Sequence, residues 1–123
     1  MSTTPNVAIL RFTDASPEAR PLLSLSVTRH LDQIQKFNQS GRLTITNGTT
    51  VTCRMHPDSE VVDPSPAAKL DGARIITGEI VAQFFKNGLA GADYIVTYLV
   101  EFSDGSTEPF DCVISVRKFI GLQ

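Results

Sequence analysis

Polar and apolar residues alternate along most of this chain, and the alternation predicts strands. In residues 22–28, Leu23, Leu25 and Val27 fall on one face and Ser24, Ser26 and Thr28 on the other. That period of two is the mark of a half-buried strand. The longest such run is residues 94–102, with Tyr94, Val96, Tyr98, Val100 and Phe102 on one side and Ile95, Thr97, Leu99 and Glu101 on the other. Apolar side chains on both faces predict a central strand covered above and below. Residues 7–12 read as an earlier strand, stopped by the turn formers Thr13, Asp14, Ser16 and Pro17 and therefore placed at a sheet edge. Runs at 74–76, 79–85 and 110–119 bring the count to about seven. Between positions 30 and 39, Leu31, Ile34 and Phe37 are spaced three apart. The run is short and ends in Asn38, Ser40 and Gly41, which predicts a loop with at most one helical turn.

Turn chemistry joins these strands. Asn47-Gly48 between residues 43–46 and 49–53 predicts a hairpin, since Asn-Gly tolerates the two positive φ angles of a type I′ turn. Asn87, Gly88 and Gly91 mark a tight connection into residue 94, and residues 103–106 (Ser-Asp-Gly-Ser) mark a second hairpin. From 57 to 72 the composition shifts to Pro57, Pro64 and Pro66 among charged residues, predicting a long exposed loop of the kind that is often functional. Many short strands without a long helix predict an all-β, two-sheet sandwich. Residues 1–21 read as an N-terminal arm or edge strand, and residues 22–123 as the sandwich.

With 123 residues, 41% of them hydrophobic, one domain with one core is expected. Eleven basic residues against thirteen acidic ones give a net charge of −2, and no run of like charge offers a footprint for nucleic acid. No apolar run reaches the roughly 20 residues needed to cross a bilayer, and the first residues lack the basic and apolar regions of a signal peptide. A cytosolic product is expected to keep Cys53 and Cys112 as buried thiols.

Little in the sequence points to reaction chemistry. Cys53 and His56 form one C-x-x-H pair where zinc sites use two, and two histidines without a nucleophile motif offer no catalytic constellation. No cofactor, metal or enzymatic activity is expected. Asp58, Glu60 and Asp63 offer closely spaced oxygen ligands of the type calcium uses, but the EF-hand-like run with its glycine is missing. Their charge is expected to keep the proline-rich loop solvated. Phe84 and Phe85 are adjacent, so in a strand one fills the core and the other is left for a partner.

The stretch from 79 to 116 resembles a group of short Ig-like proteins encoded among the virion structural genes of tailed bacteriophages. The resemblance rests on residues 86–94 (Lys-Asn-Gly-Leu-Ala-Gly-Ala-Asp-Tyr), the Thr/Val/Tyr strand 95–100 and the Ser103-Asp104-Gly105 turn, and in outline on Phe12, Thr13 and Asp14 with Pro17 and Glu18. The chain departs from the group at Leu89, where a second glycine is usual, and in the larger 57–72 loop. The resemblance implies an Ig-like antiparallel β-sandwich of about seven strands, with Tyr94 tying the preceding corner to the backbone and Val96 where antibody domains carry a cysteine. It also implies a virion protein made in the host cytoplasm, a capsid decoration or cement protein or a head-associated adaptor, homo-oligomeric on the particle. Its partners would be the major capsid protein or other virion proteins; the alternative is a receptor- or carbohydrate-binding fibre module. Contacts are expected through the segment before Leu22, the 57–72 loop and residues 118–123, with Phe12, Pro57, Asp58, Glu60, Asp63, Pro64 and Phe119 as candidates.

Overall fold

The computed structural model describes residues 10–11, 20–37 and 41–117. In chain order these form β1 (Leu10–Arg11), β2 (Leu22–Ser26), α1 (Thr28–Phe37), β3 (Thr50–Met55), a 3-10 turn (Pro66–Lys69), β4 (Leu70–Thr77), β5 (Ile80–Phe85), β6 (Asp93–Glu101) and β7 (Thr107–Ser115). One sheet has the order β1-β7-β6-β3 and the other β2-β5-β4. Six strands have five residues or more; β1 has two, and it lies at a sheet edge. It pairs parallel with β7, so the antiparallel expectation fails at that edge, while every other pairing of named strands is antiparallel. Phe12, Phe119 and the expected turn at 13–17 lie outside the described residues.

The core forms where the inner faces of the two sheets meet. Tyr94, Val96, Tyr98 and Val100 of β6 are wholly buried, against Leu23 and Leu25 of β2 and Val81 and Phe85 of β5. Two contacts link the layers directly: the Phe85 ring meets Tyr94 edge-on at 5.1 Å, and the Tyr98 hydroxyl donates to the Leu23 carbonyl at 2.7 Å. β6 is central, between β7 and β3, as its pattern predicts. Its outer face is only partly covered, however, with Leu99 40% exposed.

Where a loop with at most one helical turn was expected from position 30, the chain forms a ten-residue helix, α1, over Thr28–Phe37. Leu31 stacks one turn after Val27, both are buried, and the Leu31 amide bonds the Val27 carbonyl at 2.9 Å. The i, i+4 contact with the core supplies what a short helix lacks on its own. Arg42 then fastens the helix to the β4–β5 turn by reaching Asp32, Glu79 and the Thr28 carbonyl.

The expected Asn47-Gly48 hairpin is absent. The turn exists, with Thr49 N–H donating to the Thr46 carbonyl at 3.2 Å. Neither Asn47 nor Gly48 has positive φ, so it is not type I′. Both arms follow the same neighbouring strand instead. Thr50 pairs with Leu99 and Ile45 bridges Phe102, while an unbroken antiparallel register would carry Ile45 to position 104. The turn is thus an outward kink in one edge strand. A Cβ at position 48 would lie 2.0 Å from a Glu101 carboxylate oxygen, so a larger residue there would have to move that carboxylate off the Thr46 hydroxyl. The expected turn at 103–106 forms, with Gly105 at φ +87° closing β6 to β7, and a turn that the sequence reading did not mark closes β4 to β5 at Gly78, with φ +59°.

Cys53 and Cys112 are free and buried. Both are opposite Val96, from its two sides, so they sit two strands apart at roughly 10 Å. A disulfide needs Cα atoms within about 7 Å. Burial pushes both thiols up to about 12, with the Asp63 charge adding to the effect at Cys53 and the Asp111 charge at Cys112. The native protein is therefore expected to leave a thiol-reactive chromogenic disulfide untouched over minutes at pH 8, and to yield two equivalents once unfolded in guanidinium. Fast native labelling would mean that one of these strands opens.

Candidate functional site

The end of the sandwich where the 56–65 loop meets the 86–92 connection is where the sequence placed most contact residues. The loop starts tightly: Asp58 N–H donates to His56 Nδ1 at 3.0 Å, and Ser59 N–H to the His56 carbonyl at 3.0 Å. Ser59 Oγ then accepts the Asp93 amide at 3.0 Å and donates to the Val61 carbonyl at 2.6 Å, holding the loop on the start of β6. Nothing in the sequence pattern singled out Ser59.

Asp63 corrects the expectation of a solvated loop, since it is only 4% exposed. Its Oδ1 accepts the Ser65 amide at 2.9 Å; its Oδ2 accepts the Tyr94 hydroxyl at 2.7 Å and faces Lys69 Nζ at 3.2 Å. The Tyr94 oxygen in turn accepts the Leu89 amide at 2.9 Å. One phenol oxygen thereby ties three segments together, including the corner before its own strand, where a tyrosine was expected to act. Burial disfavours the Asp63 charge, but Ser65, Tyr94 and Lys69 outweigh it and hold the carboxyl below its ordinary value. Burial raises the Tyr94 hydroxyl, and the Asp63 charge raises it further. The phenol stays protonated and keeps donating.

The remaining candidates, Pro57, Asp58, Glu60 and Pro64, are exposed around this hub. Two large exposed apolar side chains on the same two loops were not among the expected contacts: Val62, 70% exposed, and Leu89, the position that departs from the usual glycine. Because Asp63 and the Leu89 amide share the Tyr94 hydroxyl, Val62 and Leu89 are carried by two loops fixed to each other. Asp58 and Glu60 also line an open cleft of about 410 Å³ with Gly91, Asp93 and Arg117. Arg117 Nη2 bonds Asp93 Oδ1 there at 3.2 Å. Asp58, Glu60 and Asp63 do not converge on a common point, since Asp63 faces inward. Among the described residues no cluster of three His, Cys, Asp or Glu side chains is placed to hold a metal ion. No helix among them is long and apolar enough to cross a membrane.

At the opposite end of the second sheet, Arg42 pairs with Glu79 and Asp32 while Thr28 Oγ1 donates to Glu79 at 2.8 Å. The Arg42 and Thr28 donors hold the Glu79 carboxyl down, to about 2 from an ordinary 4.5. A depressed folded value favours the fold above about pH 4.5, and that contribution is lost as the pH falls toward 2. Thermal melts are expected to lose midpoint steadily over that window, and Glu79→Gln to flatten the slope. An unchanged slope in the variant would show that Glu79 titrates as a solvated side chain.

Comparison of the chain with family models, with curated proteins and with solved structures finds no match.

Proposed function

We propose that this chain is an Ig-like virion structural protein of a tailed bacteriophage, a capsid decoration or cement protein or a head-associated adaptor that acts through protein–protein contacts. The observation that carries the reading is the strand order. When β2 to β7 are matched in turn to strands B to G of an immunoglobulin sandwich, the β2-β5-β4 sheet corresponds to B-E-D and β3-β6-β7 to C-F-G. Tyr94 then falls at the start of the strand matched to F, and its hydroxyl bonds the backbone five residues upstream, which is the tyrosine corner of such folds. The virion assignment itself comes from the resemblance of residues 79–116. The geometry supports it in one respect: Val62 and Leu89 project from two mutually tied loops, beside the exposed Pro57, Asp58, Glu60 and Pro64. Small contacts of this size are weak singly, and many copies on a symmetric shell add them up.

A fibre module that binds receptor or carbohydrate is the second reading, and the aromatic residues weigh against it. Both tyrosines are buried, the sequence has no tryptophan, and the half-buried Phe84 carries Arg20 over its ring at 3.8 Å. The decisive measurement is a reconstruction of the particle encoded with this chain, supported by mass spectrometry of purified particles. Stoichiometric copies on the head are the expected result. Absence from intact particles would sink the proposal.

A further inference from the structure

The outer face of the β2-β5-β4 sheet is the wrong polarity for a surface meant only for water. Along β5, Val81, Gln83 and Phe85 are buried toward the core, while alternation puts Ile80, Ala82 and Phe84 on the outer face, Ile80 exposed, Phe84 half-buried and the small Ala82 covered by its neighbours. The polar side chain is thus inside, where Gln83 Nε2 donates to the Asp71, Gly72 and Phe84 carbonyls, and the phenylalanine is outside. The register lays out three outward rows across the sheet: Leu22, Phe84 and Asp71; Ser24, Ala82 and Ile75; Ser26, Ile80 and Thr77. Leu22, Ile75 and Ile80 are 46%, 44% and 42% exposed, half of the exposed large hydrophobic side chains among the described residues. A solvated antiparallel face ordinarily alternates polar residues outward, as the facing sheet does at its centre, where Thr97 Oγ1 donates to Asp111 at 2.6 Å. Contiguous exposed apolar surface marks an interaction site.

Charge selects the occupant. At the Leu22 end, Arg20 and Lys86 both pair with Asp71, two cations on one carboxylate, for a net +1. At the Ile80 end, Arg42 pairs with both Asp32 and Glu79, one cation on two carboxylates, for a net −1. A two-fold axis lying in the interface and running across the strands turns one sheet over onto another with strands antiparallel. It sets the positive end of each copy against the negative end of the other, and Ala82 at the centre lets the middle strands approach. Edge-to-edge growth is discouraged, because the β4 edge is broken by the bulge between Asp71 and Ile75 around Gly72, at φ +79°.

We infer that a second copy of this chain packs face to face on the outer side of the β2-β5-β4 sheet. Three strands of about five residues cover roughly 250 Å², well below the roughly 800 Å² per partner of a stable complex. The dimer is therefore weak in free solution, and it becomes effective where a scaffold holds copies close together. This names the surface for self-association on a particle but does not depend on the particle, because the full chain alone tests it.

Sedimentation equilibrium of the full chain from about 10 μM to about 1 mM is expected to show a weight-average mass rising toward twice the monomer's, as suits an interface of this size. Ile75→Lys places an ammonium on the middle row, which the two-fold sets against its own copy, and is expected to weaken association at least about tenfold, with an unchanged circular dichroism spectrum. Ile80→Lys, at the end set against Arg20 and Lys86 of the other copy, serves as the second variant should the first fail to fold. A mass that stays monomeric up to the highest concentration overturns the inference and leaves the face for a different protein. Undiminished association in both folded variants overturns it as well, by placing the contact elsewhere.

Discussion

Asp63→Ala is expected to cost about 3–5 kcal/mol of unfolding free energy, the range seen when one member of a buried ion pair is removed. The substitution does more than delete a contact. Lys69 loses its counter-ion while largely covered, the buried Tyr94 hydroxyl loses its acceptor, and the Ser65 amide loses the oxygen that orders the next turn. A buried donor left unpaired carries its whole desolvation penalty. The midpoint of thermal unfolding should accordingly fall by more than about 10 °C. Asp58→Ala, in the same loop but exposed, is the control and should stay within about 0.5 kcal/mol. Urea titrations of both variants measure the difference. If Asp63→Ala loses less than about 1 kcal/mol, the loop is a solvated appendage after all and Tyr94 holds nothing of consequence.

The same residue shows where the sequence stopped being readable. A carboxylate in a proline-rich stretch reads as solvated, because nothing local reveals a lysine six positions later and a tyrosine thirty-one positions later closing on it. The strands were legible wherever one face alone met the core: Leu23, Leu25 and Val27, or Tyr94 through Phe102, wrote their burial into a period of two. The role of Tyr94 was legible because it depends on a bend close in sequence. Helix α1 was hidden because its stability comes from Leu31 and Val27 reaching the core, a tertiary term that overrides a weak local pattern. Asn47-Gly48 misled for the converse reason. Its local preference is real, but residues 44–46 gain more by joining the end of β6 through Thr46, Ile45 and Ser103 than by folding back on β3. Outward Ile80 and Phe84 were visible as letters; which of the two phenylalanines faced the core depended on register.

That register makes a sharp prediction for the Phe84–Phe85 pair. Phe85→Ala is expected to destabilise by about 3–5 kcal/mol, the loss for a fully buried phenylalanine whose cavity refills poorly. Its ring is 1% exposed and packs edge-on to Tyr94, and Gly88 lies so close that a Cβ there would be 2.9 Å from the Phe85 ring. Neighbours pinned on both sides leave little to collapse into the void, and the loosened Tyr94 ring weakens the hydroxyl contacts it makes to Asp63 and Leu89. Phe84→Ala, one residue earlier, removes a ring that faces outward beneath Arg20 and is expected to cost about 1 kcal/mol or less, in keeping with a cation–π contact at an exposed site. The two variants differ by one position and by at least about 2 kcal/mol, a gap that a pair of denaturation curves resolves readily. Equal losses would mean that the outer face of β5 is already packed in the monomer, and the surface offered to a second copy would be gone with it.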